Sequence, residues 1–108
     1  MRVVAASPAD PASYERAFRG HDAVVSLVGG AGLLDESVIV QAAANAGVRY
    51  FVPSGFGYDF HDPKVGSLLW IFKSKLQVDG LLREYAGGMA HTWVVVGLFL
   101  EWVSLGAL

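Results

Sequence analysis

The run Ala23 to Val28 sets the first limit on the fold, because Val24, Val25, Leu27 and Val28 leave it no polar face and Gly29, Gly30 and Gly32 follow it. A strand with one solvated face alternates polar and apolar residues. A continuous apolar run argues instead for a strand covered on both faces, as in a parallel sheet. Similar runs recur, with helical patterns between them. Arg2 to Ala6 is a short strand candidate. Asp10 is placed to cap a helix, Pro11 suits its first position, Tyr14, Ala17 and Phe18 form its apolar stripe, and Gly20 ends it. After the glycine loop, Asp35 starts a second helix with Val38, Ile39, Ala42, Ala43 and Ala46 at helical spacing, and Gly47 stops it. Arg49 to Pro53 is the next strand and Ser54 to Pro63 a glycine- and aromatic-rich loop. A longer helix runs from about Ser67 to Tyr85, with Gly87 and Gly88 breaking it. Trp93 to Val96 is a last strand, closed by Gly97, and Leu98 to Leu108 fits either helix or extended chain. The alternation predicts an α/β fold with a parallel sheet of about four strands and flanking helices.

The 108 residues suffice for one small domain, 1–108. Hydrophobic residues make up 54% and charged residues 17%, against about 25% charged in ordinary domains. That excess fits strands buried on both faces, and equally a domain whose apolar surfaces meet further partners. The net charge is −2 and the eight Lys and Arg are scattered, so nucleic acid is not an expected partner. No cysteine is present, which excludes disulfides and Cys-based zinc sites. Met1 to Ala6 is too short an apolar run for a signal peptide, and Pro8, Asp10 and Pro11 follow it. The apolar run Thr92 to Leu108 spans 17 residues and contains Glu101, whereas a membrane-spanning helix needs about 20 apolar residues. No membrane partner is expected, and a cytoplasmic location is the default.

Three segments together carry a family resemblance. The first is Gly20-His21-Asp22-Ala23-Val24-Val25-Ser26-Leu27-Val28-Gly29. The second is Ala42-Ala43 through Ala46-Gly47-Val48-Arg49-Tyr50-Phe51-Val52-Pro53-Ser54-Gly55-Phe56-Gly57. The third is Lys75 in the long helix, followed by Thr92-Trp93 and Gly97-Leu98-Phe99. Their order and spacing resemble the isoflavone-reductase-like and NmrA-like group of atypical short-chain dehydrogenases, over nearly the whole chain. Gly55 departs from the pattern, since the group usually has an acidic residue there. The resemblance implies a Rossmann-type domain that binds NADP and reduces an aromatic or otherwise conjugated small molecule. It also implies that the first strand-turn-helix-strand, with its glycine-rich phosphate turn, is missing, because the 108 residues contain no G-x-G-x-x-G. The domain is then a partial Rossmann-type sheet, beginning at the third strand. Arg2 to Ala6, separated from its usual neighbours, is expected to re-pair against Ala23 to Val28.

On this resemblance Lys75 is the catalytic candidate, moving a proton to or from substrate beside the nicotinamide. An ammonium among apolar walls loses basicity and becomes a usable acid-base group. Lys73 competes with it, but two residues turn a helix by about 200°, so only one of the two faces the cleft. No tyrosine has lysine four residues on, which argues against the Tyr-x-x-x-Lys mechanism of other short-chain dehydrogenases. Gly29 and Gly30 end a strand where backbone can approach a cofactor, or they simply make a turn. Pro53, Ser54, Phe56 and Gly57 end the next strand, where α/β proteins bind ligands. The resemblance assigns them, with Phe99, to the nicotinamide side.

Asp59, His61 and Asp62 invite a metal reading, but a solvated polar loop explains them more simply, and no metal is expected. His21 and His91 stand alone in sequence. Trp70, Trp93 and Trp102 suit packing, and Ser26 and Ser54 lack His-Asp partners. The expected function is an NAD(P)H-dependent oxidoreductase-type domain in truncated form, with weak dinucleotide binding by the chain alone. The alternatives are a dinucleotide-sensing regulatory protein without turnover, or an inactive remnant. An exposed sheet edge would favour self-association.

Overall fold

The computed structural model describes residues 1–57, 59–66 and 70–97, with backbone alone for 65, 66, 70 and 71. In chain order they form α1 (Pro11–Phe18), β1 (Ala23–Val25), a 3-10 helix (Gly30–Asp35), α2 (Glu36–Asn45), β2 (Tyr50–Val52), α3 (Pro63–Gly66), α4 (Trp70–Glu84) and β3 (Ala90–His91). The strands make one parallel sheet in the order β1-β2-β3. Ala23 is opposite Tyr50, Val25 opposite Val52, and Phe51 opposite His91.

Helix α1 follows its sequence signals closely. Pro11 occupies the first turn, and Gly20 takes φ +81°, a backbone conformation that favours glycine. The Asp10 side chain does not cap the helix. Its carboxylate pairs with Arg16 at 3.3 Å, and Ser13 Oγ donates to the Asp10 carbonyl at 2.6 Å. Gly47, at φ +82°, ends α2 in the same way as Gly20 ends α1. Its turn drops Val48 into the core, where it is 2% exposed.

That core joins Ile39, Val40 and Ala43 of α2, Val48, Phe51 of β2, Val78 and Leu82 of α4, and Met89. Tyr14, Phe18, Val24 and Trp93 pack against it. Phe51 is fully buried at the centre, and such burial stabilises by roughly 1.5–3 kcal/mol. The buried residues of α2 are Glu36, Ile39, Val40, Ala42 and Ala43. The expected stripe members Val38 and Ala46 are only half-buried.

Four expectations need correction. Arg2 to Ala6 forms no strand and does not re-pair with β1. Val3 is 85% exposed and Val4 48%, so extended pairing there gains little burial. Ala23 to Val28 is not covered on both faces. Alternation turns Val24 and Phe51 toward the helices, while Val25 and Tyr50 stay more than half exposed. The Gly29–Gly32 loop is wound into the 3-10 helix. The last strand is Ala90–His91 rather than Trp93 to Val96, because Ala90 N–H donates to Arg49 O and Thr92 N–H to Phe51 O, which exhausts the short β2 edge. Beyond that point only an isolated bridge joins Gly57 to Val95. The sheet of the described residues therefore has three strands, not about four. Ser67, Phe99, Trp102 and the segment Leu98 to Leu108 lie outside the described residues, as does the side chain of Trp70. Among the described residues no helix is long and apolar enough to cross a membrane.

Candidate functional site

The loops at the C-terminal ends of β1 and β2 are tied to two helices by a short series of hydrogen bonds. Ser54 Oγ donates to the Val28 carbonyl at 2.6 Å, joining the loop after β2 to the loop after β1. The Ser54 N–H donates to Glu36 Oε1 at 2.7 Å, joining it to the head of α2. At the next residue, the Gly55 carbonyl accepts from Lys75 Nζ of α4 at 3.3 Å. Three hydrogen bonds at two adjacent residues thus bring Lys75 to the strand ends, where parallel sheets present their ligand sites. Lys75 is half-buried and Lys73 exposed, so the helix rotation turns the former inward. Burial lowers the Lys75 pKa, while the Glu36 carboxylate opposes that shift without cancelling it.

The other sequence candidates surround this point unevenly. Gly29 and Gly30 are exposed, and a Cβ added to either would meet nothing within 4 Å. The end of β1 is therefore open to a bound group rather than packed shut. Pro53 is fully buried. Both polar groups of Ser54 are engaged internally, so it fixes the loops rather than presenting a hydroxyl outward. Phe56 is half-buried. The Gly57 carbonyl accepts from the N–H groups of Val96 and Gly97, at 3.1 and 2.9 Å. Phe99 lies outside the described residues.

Gly55, the departure from the family pattern, has a packing reason. A Cβ there would lie 2.9 Å from Trp93 Cε3 and 3.3 Å from the Val94 carbonyl oxygen. Trp93 is in turn fixed by its indole N–H, which donates to Asp79 Oδ1 at 2.7 Å. Asp79 is 6% exposed and collects further partners. Arg83 Nε lies 3.0 Å away, His61 Nε2 3.3 Å and His91 Nε2 3.9 Å. Burial pushes the Asp79 pKa up, but hydrogen bonds from Trp93 and His61 and the charges of Arg83 and His61 outweigh it and hold the carboxyl below its ordinary value. His91 therefore does not stand alone. His61, read as part of a solvated loop, bridges Asp59 and Asp79 and stacks on Phe60.

Glu36 and Asp79 are the site residues that sequence reasoning passed over. Glu36 left a signal, since it heads the spacing Glu36, Ile39, Val40, Ala43 on one helix face. Asp79 left none, because its partners come from distant segments. Two surface hollows open elsewhere. One is lined by Gly47, Tyr85 and Met89 at the N-terminal ends of β2 and β3, the other by Val4, Phe18 and Val24 beside β1. Neither contains Lys75, so shape alone does not locate this chemistry.

Comparison with known proteins agrees with this architecture. The sequence profile of the NmrA-like family matches residues 1–104. Oxidoreductase aprR of Aspergillus flavus is 34% identical over 87 residues, which cover 79% of this chain and 29% of that protein. Isoflavone reductase homolog IRL of Zea mays is 36% identical over 93 residues, covering 83% and 29%. A structure of AtPrR2 with NADP+ and (+)pinoresinol superposes with a TM-score of 0.77 at 26% identity, over 90% of this chain and 33% of that one. Citrobacter sp. triphenylmethane reductase complexed with NADP(H) superposes equally well, at 0.77, over 99% of this chain and 38% of that one; at 18% identity it speaks for the fold alone. The chain spans under a third of the length of the two sequence relatives. With the family profile running over residues 1–104 and the parallel sheet of a partial Rossmann-like fold beneath it, the chain belongs to the NmrA-like family and is homologous to its isoflavone-reductase-like members.

Proposed function

We propose that these residues form the substrate side of an NAD(P)H-dependent reductase site acting on an aromatic or otherwise conjugated small molecule, with Lys75 as the proton-transferring group. The observation that carries this reading is the Lys75 ammonium drawn 3.3 Å from the Gly55 carbonyl, at the C-terminal end of β2. A relative with bound NADP+ supports the choice of cofactor. When bound, the dinucleotide supplies the hydride. Lys75 delivers a proton from Nζ to the substrate atom that gains negative charge and is reprotonated by solvent. Its lowered pKa brings the ammonium closer to the neutral range, where proton transfer is efficient. Gly29, Gly30, Phe56 and Gly57 would line the dinucleotide, and the family resemblance adds Phe99 to them. Pro53 and Ser54 would hold the loop that shapes the pocket.

The test has two parts. The 108 residues hold no glycine-rich phosphate turn, so NADPH is titrated calorimetrically into the chain and into a fusion that adds a generic phosphate-binding strand-turn-helix-strand. Binding in the fusion alone is the expected result. Submicromolar binding by the 108 residues alone would contradict it, since half of the usual cleft would then be dispensable. Substrate-dependent NADPH oxidation by the fusion, lost in Lys75→Ala, is expected next. Binding without any turnover would replace the reductase with a dinucleotide sensor.

A further inference from the structure

Building on the proposed role of Lys75, we infer that Glu36 is its positioning residue, serving both as the buried counter-charge of the Lys75 ammonium and as the anchor of the peptide segment to which that ammonium is hydrogen-bonded. Glu36 is 0% exposed. Carboxylates are almost never buried to that extent without a partner, because desolvation of the charge is severe. Oε1 accepts the Ser54 N–H at 2.7 Å, the length of a charge-assisted bond. Oε2 is buried and has no hydrogen-bond partner among the described residues. A neutral acceptor, such as a glutamine carbonyl, would also hold the Ser54 N–H, by a weaker bond, and one such bond does not offset the burial of a full charge whose Oε2 has no partner of its own.

Lys75 supplies the counter-charge. Its Nζ reaches the carbonyl of Gly55, the residue next to Ser54, and Glu36 is the charged group that raises its affinity for protons against burial. Helices α2 and α4 pack against each other, as do α4 and the 3-10 helix that leads into Glu36. The other carboxylate on this face of α4, Asp79, lies one turn on and is engaged by Trp93, Arg83, His61 and His91. The arrangement divides two tasks between two carboxylates. Asp79 fixes Trp93 over Gly55, and Glu36 holds the peptide on the far side while balancing the lysine.

The chain has three lysines, Lys64, Lys73 and Lys75, so 13Cε-lysine labelling gives three resolvable titrations, with Lys75→Arg identifying the signal. In Glu36→Gln the acid dissociation constant of Lys75 is expected to rise about tenfold, equivalent to about one pH unit. Lys64 and Lys73 should stay unchanged, and Glu36→Asp, which keeps the charge, should hold Lys75 near its wild-type titration. An unmoved Lys75 in folded Glu36→Gln overturns the inference. If Glu36→Gln does not fold, the pair is read from the other side. Lys75→Met then lowers the urea midpoint if the ammonium offsets the buried carboxylate, and an unchanged midpoint overturns the pairing. Neither measurement needs dinucleotide or substrate. Coupling without turnover in the fusion therefore defeats only the reductase reading, and turnover without coupling defeats only this one.

Discussion

At Gly55 a single absent side chain decides what the loop after β2 can do. The ring of Trp93 fills the space that a Cβ would enter, and the ring cannot step aside freely because its N–H is bonded to Asp79. Gly55→Ala is therefore expected to destabilise the chain by about 1–3 kcal/mol, the usual range for overpacking a closed site. Urea unfolding with an unchanged slope would measure it. A variant as stable as the wild type would mean that Trp93 moves, and that Asp79 does not hold it. The same contact explains why an acidic residue, usual for the family at this position, has no room here. The carboxylate that acts on Lys75 is that of Glu36, from a different element, which raises the lysine's pKa against burial. Ser54 shows the converse. The family resemblance sets it beside the cofactor, and its hydroxyl and its amide both bond inward. Ser54→Ala should leave the Val28 carbonyl without this donor and cost about 1 kcal/mol, measurable in the same unfolding series.

Between elements, Asp79 joins α4 to the loop before α3 through His61, and to β3 and the segment that follows it through His91 and Trp93. Its folded-state pKa is depressed, so the stability it contributes is present above the unfolded carboxyl value and is lost as pH falls through the folded one. The loss is expected in the acid range, below about pH 4–5, since an unperturbed aspartate titrates near about 3.9. Asp79→Asn should thus be less stable than wild type at neutral pH and approach it as acid neutralises the native carboxyl. Parallel thermal melts from pH 3 to 7 would show the convergence, and a gap independent of pH would assign the effect to lost shape alone. This hub also marks where the sequence ceased to be legible. Helices α1 and α2, with their glycine stops at Gly20 and Gly47, could be read because stop signals and periodicity act over a few residues. Strand β3 could not. The apolar run Trp93 to Val96 outweighs Ala90-His91 in β-propensity, yet the register on β2 selects the latter. Family resemblance alone singles out Lys75 as a candidate, whereas Glu36 enters only through the three-dimensional packing of α2 on α4.

For the molecule as a whole, the decisive feature is a sheet that the described helices cover on one face. Val25 and Tyr50 are each 56% exposed on the open side, and Leu27, just past β1, is 76% exposed. The outer edge of β1 has no strand partner among the described residues, since the sheet order begins with it. Exposed apolar surface beside an unpaired parallel edge is the usual substrate for strand addition between chains. The 108-residue chain is therefore expected to self-associate with rising concentration, with sedimentation velocity following the shift to larger species. Val25→Lys and Leu27→Lys place charge on that surface without touching the core of Val24, Phe51 and Leu82, so each should reduce the association while leaving the melting temperature nearly unchanged. A charged side chain on a strand edge opposes pairing through repulsion and desolvation. The same surface distinguishes two uses of the edge. If the fusion that adds a phosphate-binding strand-turn-helix-strand is monomeric where the 108 residues associate, the added strands occupy the edge, and dinucleotide binding and loss of self-association should appear together. If the fusion binds NADPH and still associates, the contact lies on the open face of Val25 and Tyr50 rather than on the edge, and Tyr50→Lys becomes the variant that abolishes it.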